Sequence, residues 1–235
     1  MGQKKETFTA VDRISFHVEQ GTTIGIVGES GSGKSTLGEL ILGLKQPEAG
    51  KIYYKGIDIA GANSEQRRLV RRDMQVIFQN SVESLNPRMN VEELISEPMK
   101  IHRMYASREV LRKETYKLMR EVGLPEEFGH RRPAELSGGQ CQRVGIARAL
   151  GLKPKLLVCD EIVSALDVSL QTQVLLLLKD LQREYGITCL FISHDLHVVR
   201  LICDSILVMN QGQIVDRGSA RYIFFEESVV PYTRR

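Results

Sequence analysis

The sequence predicts an α/β fold: a mostly parallel sheet at the core, a small antiparallel strand pair, and an inserted helical lobe. Three observations lead there. Short β-branched apolar runs alternate with longer amphipathic stretches, as in successive βαβ units. The first such run ends in a glycine-rich turn that opens onto a helical stretch. A charged, helix-like tract interrupts the alternation in the middle of the chain.

In order along the chain, Thr22–Gly28 (TTIGIVG) reads as a buried strand, and TLGELILGL after the turn has helical spacing. Lys51–Ile59 (KIYYKGIDI) alternates around a glycine and predicts the antiparallel pair. From about Ser64 to Arg120 the text is helical and charged, broken by Pro87 and Pro98, neither of which suits a helix interior. The lobe is expected over roughly residues 80–150 of a single domain spanning 1–235. A helix near Gln140–Leu150, the strand LLVCD, the helix QTQVLLLLKDLQREYG and the strand TCLFIS follow. A further helix leads to the strand SILVMN, a turn at Gln211 and Gly212, and QIVDRG.

Composition excludes several classes. The chain is 42% hydrophobic and 26% charged. With no low-complexity tract, such a balance argues against disorder. Spanning a bilayer takes roughly 20 apolar residues in succession. No run in this chain approaches that length, and MGQKKETFTA lacks the apolar stretch of a secretory signal, so the expected place is the cytoplasm. Cys141, Cys159, Cys189 and Cys203 show no CxxC pair and read as buried free thiols. A net charge of +3 is too small to argue for nucleic acid. The densest basic cluster, Arg67, Arg68, Arg71 and Arg72, reads as a solvated helix face before it reads as an anion-binding or partner-facing patch.

Gly28–Thr36 (GESGSGKST) satisfies GxxxxGK[ST]. Gly28, Ser30, Gly31, Ser32 and Gly33 are placed to aim backbone N–H groups at phosphate oxygens, Thr36 follows in the same motif, and the helix N-terminus adds partial positive charge. Lys34 is expected on the outer phosphates and the Ser35 hydroxyl on Mg2+. The cradle is shared by GTPases, kinases and motors, so discrimination comes from elsewhere. Leu156–Glu161 (LLVCDE) ends an apolar strand in two carboxylates. Alternation would point them apart, Asp160 toward the metal shell and Glu161 toward an attacking water as base or orienting group.

Leu136–Gln140 reads LSGGQ and precedes a helical run. Ser137, Gly138 and Gly139 form a second anion-binding device at a helix N-terminus, which one nucleotide on one domain does not need. Here the sequence resembles the ABC ATPase family, whose signature is LSGGQ, and the resemblance covers nearly the whole chain. It implies ATP and Mg2+ bound between two head-to-tail domains, with Leu136, Ser137, Gly138, Gly139 and Gln140 acting on the partner's ATP. Gln79 (VIFQN) looks like the glutamine that touches the metal and the attacking water and senses the membrane subunit. Asp167 (SALD) looks like the dimer-crossing loop, and His194 (FISHD) like the switch histidine. Taken singly, Gln79 is a surface amide, SALD a helix cap through Ser164, and His194 a strand-end histidine, or with His197 a metal pair.

QNSVESLNPRMNVEELISEPM, SALDVSLQTQVL and the closing VVPYTRR resemble the peptide and nickel importer branch. That implies a second ATPase subunit, two transmembrane permeases, an extracytoplasmic solute-binding protein, and a peripheral place on the cytoplasmic face of the inner membrane. Phe8 is the aromatic residue available upstream to stack on adenine. Ile162 stands where the family commonly has proline, and Cys141 where a charged residue often follows the signature. Two other readings stay open: an ABC domain reduced to a regulatory nucleotide-binding module, and a soluble ABC ATPase of translation or DNA maintenance.

Overall fold

A computed structural model describes residues 9–225, with the side chains of Ser81 and Phe225 set aside. Phe8 and VVPYTRR lie outside the described residues. The core is a six-stranded sheet in the order β4-β5-β6-β1-β7-β8. Its strands are β1 (Thr23–Val27), β4 (Met74–Ile77), β5 (Leu156–Asp160), β6 (Thr188–Ser193), β7 (Ser205–Asn210) and β8 (Gln213–Ser219). All pairings are parallel except β7 with β8. The expected antiparallel pair is present but short, β2 (Tyr53–Tyr54) against β3 (Ile57–Asp58).

The parallel strands are buried on both faces, which is why they read as apolar runs rather than alternating ones. Every residue of β1 and of β6 is buried. On one face α1 (Lys34–Ile41) packs through Leu37 against Ile24, Ile26, Val158 and Ile192. On the other face α7 (Val168–Tyr185) and α8 (Leu196–Ile202) cover Leu157, Cys159 and Phe191. All four cysteines are buried free thiols, as expected, and burial pushes each of them up.

The middle of the chain differs from the sequence reading in two places. The tract from Ser64 is not all lobe: α2 (Ser64–Asp73) runs straight into β4, an edge strand of the main sheet. The charged text around it hides a strand of four residues. The lobe follows, with α3 (Ser81–Ser84), α4 (Val91–Ile101), α5 (Arg108–Glu121) and α6 (Gly138–Leu150). Pro98 does not break α4 but lies inside it. The helix is fixed at its start by a capping box, Asn90 with Glu93, and by burial of Val91, Leu94, Ile95 and Met99. These offset the one backbone bond that Pro98 cannot donate. The basic cluster on α2 is exposed at all four arginines.

Asp73 ties the strand pair to the core. It is 6% exposed. Its Oδ2 accepts from Tyr54 Oη at 3.0 Å and from Lys55 Nζ at 3.0 Å. Burial pushes the Asp73 carboxyl up, but those two hydrogen bonds and the charges of Lys55 and Arg72 together hold it below the ordinary value. A depressed carboxyl stabilises the fold above its unfolded-state range and loses that contribution as pH falls through the folded one. Asp73→Asn should therefore cost about 1–2 kcal/mol near neutral pH, the long exposed stem of Lys55 reducing its share. In urea titrations the gap should stay constant down to about pH 5 and narrow only below about pH 4.

Candidate functional site

The site lies where the sheet's C-terminal edge is most crowded. Pairing sets Val27 beside Ser193 and Asp160 beside Ile192. Ile77 faces Cys159, so Gln79, two residues on, comes level with Glu161. In this way the residues that follow β1, β4, β5 and β6 meet along one edge.

The turn after β1 is shaped by its glycines. Gly33 has φ +100, and a Cβ there would stand 2.1 Å from the Ala10 carbonyl oxygen. A Cβ on Gly28 would stand 2.2 Å from the Met209 carbonyl oxygen. Only glycine allows the loop to lie this close to the two backbone segments beneath it. Those segments are held in place, since Gly212 N donates to Ser32 O at 3.0 Å and Asp12 N to Gly212 O at 2.7 Å. Ser30 and Gly31 are exposed at the loop's crest, whereas Ser32 is buried. Thr36 is half-buried in the first turn of α1.

Lys34 is 5% exposed, and its Nζ donates to Gly28 O and Glu29 O, each at 2.8 Å. Burial pulls its ammonium below the ordinary value, opposed by the charges of Glu161 and Asp160. Ser35 Oγ donates to Asp160 Oδ1 at 3.3 Å. Burial pushes the Asp160 carboxyl up, the Ser35 hydroxyl lowers it, and the Glu161 charge raises it again. Ser35 and Asp160 thus place a hydroxyl and a carboxylate oxygen side by side at the foot of the loop. This small, hard donor set suits Mg2+, which keeps waters and takes further oxygens from phosphates. Among the described residues no group of three His, Cys, Asp or Glu side chains is placed to hold a metal ion.

Asp160 and Glu161 do point apart, but not through strand alternation. The strand ends at Asp160, and Glu161 turns into the left-handed region with φ 48, a conformation uncommon for a side chain with a Cβ. The turn brings its carboxylate between two other loops. Oε2 accepts from Gln79 Nε2 at 2.9 Å, and Oε1 lies 3.1 Å from His194 Nδ1. An ionised carboxylate only accepts, so the second contact assigns the proton to Nδ1 and leaves Nε2 to act elsewhere. Gln79 Nε2 also donates to Ser164 Oγ at 3.3 Å.

Leu136–Gln140 lies apart from this group, on the lobe. Ser137 caps α6 and forms a capping box with Gln140; Gly138 and Gly139 open the helix, and Leu136 packs against the core. Asp167 is exposed, and its Oδ1 accepts from Leu170 N at 3.0 Å, so the helix cap in SALD is Asp167 and not Ser164. The structure therefore brings Lys34, Ser35, Gln79, Asp160, Glu161 and His194 to one edge and leaves the LSGGQ segment as a separate surface. Two contributors escape a reading of the sequence: the backbone floor at Ala10 and Met209, which no side-chain motif signals, and Ser164.

Comparisons with known proteins show what the chain as a whole is similar to. A family model described as ABC transporter matches residues 11–164. The chain is similar to the oligopeptide transport ATP-binding protein OppF of Salmonella typhimurium, at 47% identity over 99% of this chain and 69% of that protein. It is 46% identical to the oligopeptide transport ATP-binding protein AppF of Bacillus subtilis, over 96% of this chain and 68% of that one. Among solved structures, a dimeric ATP-binding cassette in a post-hydrolysis state, bound to ADP and Pi, superposes with a TM-score of 0.82 at 30% identity, over 94% of this chain and 95% of that one. cbiO1 of Clostridium perfringens, part of the ABC transporter complex cbiONQ, gives 0.83 at 28% identity, over 92% of this chain and 84% of that one.

The loop geometry yields a direct test. Gly33→Ala forces a Cβ against the Ala10 carbonyl in a left-handed backbone, and should lower unfolding free energy by about 2 kcal/mol or more. Gly31 has φ +81 but open space around it. Its replacement, Gly31→Ala, should cost about 1 kcal/mol. Urea denaturation of the two variants, read side by side, checks the order.

Proposed function

The chain belongs to the ABC transporter ATP-binding family, and from that premise we propose that it is the motor subunit of a peptide importer, with Glu161 as its base. Binding and hydrolysis of ATP come with the family. Peptide is the cargo class because the relatives that match nearly the whole chain are named oligopeptide transport ATP-binding proteins. The observation that carries the site assignment is the convergence on Glu161 of Gln79 and His194, beside the Lys34–Ser35–Asp160 cluster.

In this reading residues 1–235 form one ABC unit whose lobe, about 80–150, carries the signature. The backbone N–H groups of Gly28–Gly33 and the N-terminus of α1 bind the phosphates, and Lys34 leaves its loop carbonyls for the outer phosphate oxygens. Ser35 and Asp160, with Gln79 Oε1, would hold Mg2+ directly or through water. When bound, the ion would neutralise charge that develops on the phosphate oxygens. Water attacks the γ-phosphorus as the bond to the bridging oxygen breaks, giving ADP and phosphate. Glu161 orients that water and takes its proton, and the free Nε2 of His194 faces the γ-phosphate oxygens. Ser137, Gly138, Gly139 and Gln140 close on the ATP of a second ATPase subunit, and Asp167 crosses between the two. ATP binding favours the closed pair and hydrolysis reopens it.

No helix among the described residues is long and apolar enough to cross a membrane. In this reading the chain works peripherally, on the cytoplasmic face, beneath two permeases fed by a solute-binding protein. Phe78 and Val82 are exposed on either side of Gln79 and give a permease an apolar foothold next to it.

Magnesium-dependent ATPase activity of the chain, alone and mixed with its partner ATPase, tests the reading. Glu161→Gln should lower turnover about a hundredfold or more while ATP still stabilises the dimer. Turnover at the parental rate would remove Glu161 from the role of base. Lys34→Ala should weaken nucleotide binding itself, measured by calorimetry. In vesicles with the permeases and binding protein, short peptides should stimulate hydrolysis; stimulation by nickel alone would reassign the cargo.

A further inference from the structure

Ser164 has no part in the scheme above, yet its hydroxyl makes two hydrogen bonds, one donated and one accepted. It donates to the Glu161 carbonyl oxygen at 2.9 Å and accepts from Gln79 Nε2 at 3.3 Å. The same nitrogen donates to Glu161 Oε2 at 2.9 Å. A carboxamide nitrogen has two protons and accepts nothing. Both protons are therefore committed, one to the acid and one to the serine. The Gln79 amide has one orientation, nitrogen toward Glu161, with its oxygen left as the end that faces elsewhere. With the acid alone as partner, the amide keeps one bond and regains rotational freedom about its last torsion.

The backbone that carries Ser164 is firmly seated. Ser164 N donates to Glu161 O at 3.1 Å and Leu166 N to Val163 O at 3.1 Å. Gln171 Nε2 grips the carbonyls of Val163 and Leu166 at 3.1 and 3.0 Å. Ile162 and Val163 are buried.

We propose that Ser164 is a positioning residue for Gln79, fixing the amide orientation that hydrolysis uses. The proposal rests on the assignment of Glu161 made above.

The test compares Ser164→Ala and Ser164→Thr with the parent chain, assembled with its partner ATPase. Ser164→Ala should lower kcat about tenfold, the scale of one lost positioning bond in an active site, while KM for ATP and ATP-driven dimerisation stay put. Ser164→Thr, which keeps the hydroxyl, should restore most of the rate. In the isolated chain without nucleotide, the Gln79 side-chain amide protons should exchange slowly with solvent by NMR and become fast in Ser164→Ala. Unchanged kcat and amide exchange, or a parallel loss of dimerisation, would overturn the positioning role. Glu161→Gln in the same assay separates the cases: if it retains turnover, the failure lies with the assignment of the base and not with Ser164.

Discussion

Parallel pairing of β4, β5, β6 and β1 is the constraint on which the site depends. Parallel neighbours put all their C-terminal ends on one edge, and the register then decides which residue of each following loop meets which. Ile77 opposite Cys159, Asp160 opposite Ile192, and Val27 opposite Ser193 place Gln79, Glu161, His194 and the glycine loop within reach of one another. A slip of one residue in any of these pairings would swap the side chains that the strand presents to the two helical layers and at the same time remove its loop residue from the cluster. Core packing and site geometry are specified by the same set of contacts.

Much of this is legible in the sequence because the signals are local. The glycine loop, the acids that end an apolar strand, and LSGGQ before a helical run each carry their structural context in the residues immediately around them. What escapes depends on partners far along the chain. β4 is short and follows a helix rich in arginine, so no window separates it from the lobe. Pro98 reads as a breaker because propensity ignores the buried face and the capping box that hold α4 together. Alternation predicts that Asp160 and Glu161 diverge. They diverge because the strand stops and the backbone at Glu161 turns left-handed, which no residue type announces. Ser164 reads as a cap, since a serine shortly before a helix offers that role first. Its hydroxyl instead serves a glutamine 85 positions away.

Charge is arranged here so that burial and pairing oppose each other. Lys34 is pulled down by burial and supported by two acids, while Asp160 is pushed up by burial and by its neighbour Glu161. Two carboxylates on adjacent residues repel, and the site tolerates them because Ser35 takes one and Gln79 with His194 takes the other. That separation of partners is what lets one acid serve a cation and the other a water.

The floor beneath the glycine loop has a consequence for how the protein is made. Its supports are Ala10, which precedes the loop, and Met209 and Gly212, which follow it only after the lobe and most of the sheet. Synthesis delivers the loop itself with most of the sheet still to come. A nascent chain that has exposed Gly28–Thr36 but not yet β7 and the turn after it carries the motif without the backbone against which it is shaped. Competence to hold a phosphate therefore arrives late on the ribosome, after the lobe and the signature have already emerged, and a chain truncated before that turn is one that a chaperone or protease meets as unfinished.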